Sequence, residues 1–258
     1  MSVHLAEGLA TTALVFPWIE PHTRRALIRR WSHRLLRILR IEARLHGVAL
    51  DRPSGGFVIV ANHVSWLDIF VLNAWQPSRF VAKAELARWP LIGWLIAGVG
   101  TLFIDRSNRR HAHDINRHAA DALARGDVVA VFPEAATSDG RNVLHFHGSL
   151  LQPIVDFEGH VQPIAIRYRT AAGEHSEAPS YVGDTTFIRS LWRIVSEPML
   201  VVELHLAPPV PARGAHRRAI ARAAEEAIRA MVRGEASAPA SVAAADARGP
   251  GTRYRHPA

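Results

Sequence analysis

Six short apolar runs punctuate this chain, at 57–61, 79–82, 100–104, 128–132, 162–168 and 200–206. Each is strand-sized and rich in Val, Ile, Leu or Phe, and helical patterns lie between several of them, at 67–73, 114–125 and 187–195. Strands alternating with helices cover both faces of a sheet at once, so the expected fold is α/β: a mostly parallel central sheet flanked by helices. In such a sheet, functional side chains collect where strands end. His63, the pair Asp105-Arg106, and Glu134 each follow a strand pattern in this way.

The ends of the chain read differently. Segment 3–19 is mostly apolar but carries His4 and Glu7, and it falls short of the roughly 20 apolar residues that span a bilayer comfortably. It lacks a basic leader and a small-residue cleavage site, so it is read as a short interfacial helix or the remnant of a span, not a secretory signal. A helical pattern over 23–44 follows, with Leu27, Ile28, Trp31, Leu35, Ile38 and Leu39 on one stripe and arginines 24, 25, 29, 30, 34, 37, 40 and 44 around it. Such a basic amphipathic helix suits an anionic membrane surface; it equally suits a helix packed on the domain with a solvated basic face. The apolar segment before it favours the membrane. The expected organisation is residues 1–46 as membrane-associating helices, 47–212 as the α/β domain, 213–233 as an Ala-rich surface helix and 234–258 as a disordered tail.

Composition narrows the chemistry. There are no cysteines, which removes disulfides and thiolate metal sites. The net charge of +8 asks for an anionic partner: nucleic acid, a phosphorylated substrate or an acidic membrane. No nucleic-acid-binding motif is present, so no nucleic-acid partner is expected. Lys83 is the only lysine, a compact point charge where arginine is otherwise the rule. The pairs His111/His113 and His145/His147 lack the carboxylate and third-ligand spacing of catalytic zinc, so no metal is expected.

Four blocks carry the chemistry. In Asn62-His63-Val64-Ser65-Trp66-Leu67-Asp68, His63 sits on the turn after a strand and Asp68 one helical turn inside the next helix. A carboxylate on one ring nitrogen fixes the tautomer and leaves the other nitrogen free to take a proton; an exposed histidine near a helix-capping aspartate has the same spacing. The second block runs from Lys83-Ala84-Glu85-Leu86 through Pro90 to Phe103-Ile104-Asp105-Arg106. Arg106 can fork onto a phosphate with Asp105 holding it, or form an ordinary surface ion pair. The third, Phe132-Pro133-Glu134-Ala135-Ala136-Thr137-Ser138-Asp139-Gly140, offers a carboxylate and two hydroxyls to a polar headgroup, or is a plain Asp-Gly turn. The fourth, Val161-Gln162-Pro163-Ile164-Ala165-Ile166, reads as an apolar strand lining a site.

Taken in order, these blocks resemble the glycerolipid acyltransferase family, specifically the bacterial 1-acylglycerol-3-phosphate acyltransferases. Its pattern is Asn-His-x4-Asp, Gly-x-x-Phe-Ile-Asp-Arg, Phe-Pro-Glu-Gly-Thr-Arg-Ser and a Val-Pro-Val-type strand. The resemblance implies a glycerol-3-phosphate acyltransferase-like fold, with acyl transfer from acyl-CoA or acyl-carrier protein to a lysolipid hydroxyl. It makes His63 the general base, Asp68 its orienter, and Lys83, Arg106, Glu134, Thr137 and Ser138 the acceptor contacts, supported by Asn62 and Asp105. No bound cofactor is implied. The expected partners are membrane lipids and, where it rather than acyl-CoA is the donor, acyl-carrier protein; the expected place is the cytoplasmic face of the cell membrane. One departure stands out: the family's Glu-Gly-Thr-Arg-Ser is Glu134-Ala135-Ala136-Thr137-Ser138 here, a form similar to lyso-ornithine lipid acyltransferases. It removes a cation and puts Ala135 where glycine would reach positive φ more easily.

Overall fold

The computed structural model describes residues 2–47, 56–88, 92–104 and 109–235. Asp105 and Arg106 lie outside the described residues, as do the side chain of Lys83 and the tail from 236 onward. Eight strands form one sheet: β1 (Ile41–Gly47), β2 (Phe57–Ala61), β3 (Arg79–Lys83), β4 (Leu102–Ile104), β5 (Val128–Val131), β6 (His160–Thr170), β7 (Leu200–Leu206) and β8 (Val210–Pro211). Their order is β1-β7-β6-β2-β5-β3-β4, with β8 on β6. The β1–β7, β6–β2, β2–β5, β5–β3 and β3–β4 pairs are parallel; β6 runs antiparallel to β7 and β8. The sheet is thus mostly parallel, as the alternating pattern predicts.

Side-chain alternation divides the core into two layers. Ile59 and Ala61 of β2, Val128 and Ala130 of β5, and Ile164, Ile166 and Tyr168 of β6 face one side, with Val202 and Leu204 of β7. There they meet α2 (Pro21–Ile38), α3 (Leu67–Trp75) and α7 (Phe187–Ser196) through Leu35, Leu36, Leu72 and Ile194. Val58, Val60, Val129, Val131, Val161 and Ala165 face the other side, against α5 (Arg109–Ala124), α6 (Gln152–Asp156) and α8 (Arg217–Arg233). Being buried on both faces, β2 and β5 read as unbroken apolar runs rather than alternating ones.

The N-terminal region departs from expectation. The helix predicted over 23–44 stops at Ile38; Arg40 takes a left-handed φ of 55°, and residues 41–47 become β1. Ile41, Ala43 and Leu45 fit a two-residue repeat as well as the helical stripe that precedes them, and pairing with β7 decides the matter. Residues 41–46, expected with the N-terminal helices, therefore belong to the sheet. The apolar face of α2 is also committed, since Leu35, Leu36 and Leu39 are buried in the core. These three pack on the domain, while Ile38 stays exposed near the end of the helix. Before it, α1 (Ser2–Ala10) folds back on α2, where His4 stacks on Trp31 at 4.4 Å and Arg34 pairs with Glu7 at 2.6 Å. Arg25 and Arg79 both bind Asp127, at 3.0 and 2.8 Å, pinning α2 to the foot of β5. Among the described residues no helix is long and apolar enough to cross a membrane.

Candidate active site

β2 ends at Ala61, and the next residue manages the exit from the sheet. The Asn62 amide donates to the Ile166 carbonyl at 3.0 Å and accepts from the Ile166 N–H at 2.7 Å. It continues the β2–β6 ladder with a side chain where the backbone turns away. His63 is thereby lifted above the strand ends. Its main chain is gripped at both polar atoms: the N–H donates to Glu134 at 2.7 Å, and the carbonyl accepts from the Ser138 N–H at 2.8 Å.

Asp68 lies in the first turn of α3, where a negative charge is favoured by the helix dipole. It is fully buried, and donors converge on it. One oxygen accepts from the N–H groups of Val64 and Ser65 at 2.7 and 2.9 Å and meets His63 Nδ1 at 2.8 Å. The other accepts from the Tyr168 hydroxyl at 2.7 Å. Burial, followed by the charge of Asp68, pushes the Tyr168 hydroxyl well above its ordinary pKa, so it stays a donor. Four donors make a buried carboxylate tenable. Because an ionised carboxylate only accepts, Nδ1 carries the ring proton and Nε2 keeps its lone pair. The ring stacks on Phe132 at 4.1 Å and 11°, and it is partly exposed. This arrangement is a proton acceptor with a fixed tautomer and a buried counter-charge.

Glu134 is placed differently from an acceptor contact. It is 4% exposed, with one oxygen on the His63 N–H and the other on the Leu144 N–H at 2.8 Å. Facing backbone rather than solvent, it buttresses the turn that carries His63. Burial outweighs those two hydrogen bonds and pushes its pKa from 4.5 up to about 7. Between these values the folded state holds a proton that the unfolded chain has released. Stability therefore falls as pH rises through that window, by up to roughly 3 kcal/mol. Glu134→Gln should lack this fall. Urea unfolding at pH 5 and pH 8 checks it; a constant difference between the two proteins would show that Glu134 does not titrate there.

Ala135 adopts φ 65° and Gly140 φ 78°, so the loop keeps the left-handed residue at the position where the family pattern has glycine. For alanine this costs roughly 1 kcal/mol. Ala135→Gly is expected to raise stability by about that amount less glycine's extra unfolded-state entropy, a net gain of about 0.5 kcal/mol in chemical denaturation. Thr137 donates to the Tyr181 carbonyl, and Ser138 Oγ bonds the His63 and Asn142 carbonyls, both at 3.3 Å. Both hydroxyls are engaged in holding the loop onto the turn around His63.

Of the histidines weighed as metal ligands, the side chains of 111 and 113 lie outside the described residues, and His145 pairs with Glu225 at 3.2 Å. A convergence that sequence spacing missed joins His46 of β1 to Glu203 and His205 of β7. Arg169 and Arg167 stand 3.6 and 3.9 Å from the same Glu203 oxygen, so the carboxylate already has cationic company. Tyr168 was missed too: strand alternation puts it on the side of Ile166, but its approach to Asp68 depends on β6 lying beside β2.

The profile of the acyltransferase family matches residues 42–167. A lyso-ornithine lipid O-acyltransferase of Pseudomonas aeruginosa is 38% identical over 214 residues, covering 83% of this chain and 81% of that protein. The chain belongs to the acyltransferase family. A 1-acyl-sn-glycerol-3-phosphate acyltransferase of Neisseria meningitidis is 39% identical over 195 residues, covering 74% of the acyltransferase described here and 76% of its own length. The crystal structure of the 1-acyl-sn-glycerophosphate (LPA) acyltransferase PlsC from Thermotoga maritima superimposes with a TM-score of 0.64 at 22% identity, covering 91% of this chain and 90% of that one. At that identity the likeness speaks for the fold, which the acyltransferase shares.

Proposed function

We propose that the protein transfers a fatty acyl group from acyl-CoA or acyl-carrier protein to the free sn-2 hydroxyl of 1-acyl-sn-glycerol 3-phosphate. The observation that carries this is the His63–Asp68 contact at 2.8 Å, backed by Tyr168. His63 Nε2 takes the hydroxyl proton as the oxygen attacks the thioester carbonyl. The tetrahedral intermediate collapses, the C–S bond breaks, and the leaving thiolate takes the proton from the imidazolium, which Asp68 stabilises meanwhile. Neither serine nor cysteine is needed as a nucleophile. Lys83 and Arg106, steadied by Asp105, are the cations we assign to the acceptor's phosphate.

A second reading has lyso-ornithine lipid as the acceptor. It is favoured by Thr137, which stands where the family pattern carries arginine and spends its hydroxyl on Tyr181. Purified protein, one labelled acyl donor and both lysolipids in parallel separate the two. Acylation of the glycerophosphate acceptor alone supports the first, acylation of the ornithine lipid alone the second, and acylation of neither removes both. We place the protein peripherally on the cytoplasmic face of the cell membrane, held by the exposed Leu14, Val15 and Trp18 after α1 and by outward arginines of α2. Recovery wholly in the soluble fraction at physiological salt, without detergent, would count against that placement.

A further inference from the structure

Helix α7 is amphipathic in an unusual setting. Its inner side is bound to the catalytic motif: Ser190 is buried and accepts a hydrogen bond from the Trp66 indole at 3.0 Å, Phe187 packs on Trp66 at 5.0 Å, and Ile194 is buried in the core. The segment leading into it is tied to the same turn, with the Tyr181 N–H donating to the Val64 carbonyl at 3.0 Å. Its outer side carries Ile188, Trp192 and Val195, exposed by 79%, 71% and 45%. These are spaced four and three residues apart, so they make one stripe along the helix. Large apolar side chains are seldom displayed in register on a face bathed by water.

The stripe does not end with the helix. Met199, the next exposed apolar residue, precedes Leu200, whose N–H donates to the Arg40 carbonyl at 3.2 Å. That bond joins the start of β7, just after Met199, to the turn that follows α2, where Ile38 is 41% exposed and Arg37 and Arg40 point outward. Arg189 is exposed beside Ile188. An apolar band edged by arginines matches the interfacial zone of an anionic bilayer, with tryptophan at headgroup depth and guanidinium groups on lipid phosphates. It lies in the helical layer that also holds α1 and α2, over the same face of the sheet.

We propose that the outer face of α7, continued by Met199 and Ile38, is a membrane-contact surface that seats the site beside His63 on the lipid from which its acceptor comes. It rests on the peripheral-membrane placement above and extends that contact from the N-terminal region onto α7. Because the helix that touches lipid also holds Trp66, docking and the position of the catalytic turn are mechanically linked.

The absence of cysteine makes the test direct. Trp192→Cys, Trp18→Cys and Ser149→Cys are each labelled with the environment-sensitive NBD fluorophore and mixed with phosphatidylethanolamine–phosphatidylglycerol vesicles. Emission from position 192 should shift to the blue and gain about twofold or more in intensity, as a probe leaving water does, while position 149 on the opposite face stays unchanged. Silence at 192 with a response at 18 overturns the proposal and leaves the N-terminal placement standing. Silence at both overturns the two together. A shift at 192 that follows protein concentration without vesicles makes the face an interface between copies and also overturns it, as does an equal response at 149. The unlabelled Ile188→Ser/Trp192→Ser variant should sediment with vesicles about tenfold less well, given two large side chains lost from the interface. Its unfolding transition should be unchanged, since both are exposed.

Discussion

Replacing His63 with alanine should lower turnover by about 10³-fold or more while the protein stays folded. Among the described residues, the side chain makes one polar contact, to Asp68, and one ring contact, to Phe132. The turn itself is held by main-chain atoms: the His63 N–H on Glu134, the His63 carbonyl under Ser138, and the Val64 carbonyl under Tyr181. Alanine keeps all three. What it removes is the only group on this turn with a free lone pair and a buried counter-charge, so the acceptor hydroxyl would have to attack with its proton in place or lose it to water. His63→Gln sharpens the test, because an amide can keep a hydrogen bond to Asp68 without being a base. Both variants should show wild-type thermal unfolding within a few degrees and almost no transfer at saturating donor and acceptor. Near-normal turnover in either would sink the assignment.

Much of this was legible in the sequence because it is local. The strand 57–61 and the start of α3 are set by a short apolar run and the helical pattern after it, and their junction dictates that a histidine and an aspartate five residues apart can meet. The strand-end positions of His63 and Glu134 follow from the same alternation. The parts that resisted depend on contacts distant in sequence. Nothing local says that Leu35 and Leu36 of α2 and Leu39 just after it will bury themselves against the sheet rather than lipid; the partner surface of α3, β6 and β7 decides that. Nor does residue type show that Glu134 turns inward. That follows from two N–H groups without strand partners, at His63 just past β2 and at Leu144 in the long loop after β5. Tyr168 is 100 residues from Asp68 and becomes visible only once β6 is known to lie beside β2. Ala135 marks the opposite limit: the family pattern points to a left-handed residue, and the chain adopts φ 65° there without the glycine.

Asp68 offers the second large effect, and two substitutions divide its roles. Asparagine is nearly isosteric. Its oxygen can face Val64, Ser65 and His63, and its NH₂ can donate to the Tyr168 oxygen if that hydroxyl turns from donor to acceptor. Asp68→Asn should therefore fold. The imidazolium formed at the transition state then loses its counter-charge, and the tautomer loses its bias, so turnover should drop by roughly 10²–10⁴-fold with little change in KM. Alanine is a different experiment. It strands two backbone N–H groups and a tyrosine hydroxyl in a site with no access to water, at about 3–5 kcal/mol in total. Asp68→Ala should lose stability as well as activity, whereas Asp68→Asn loses activity almost alone. The pairing of His63 with Asp68 is then tested by combination. If Asp68 acts through the imidazole, His63→Ala/Asp68→Asn should be no slower than His63→Ala, because the second change has nothing left to disable. A double variant slower than His63→Ala by the full factor of the single Asp68→Asn change would mean the two residues work independently, and the orienting role of Asp68 would be wrong.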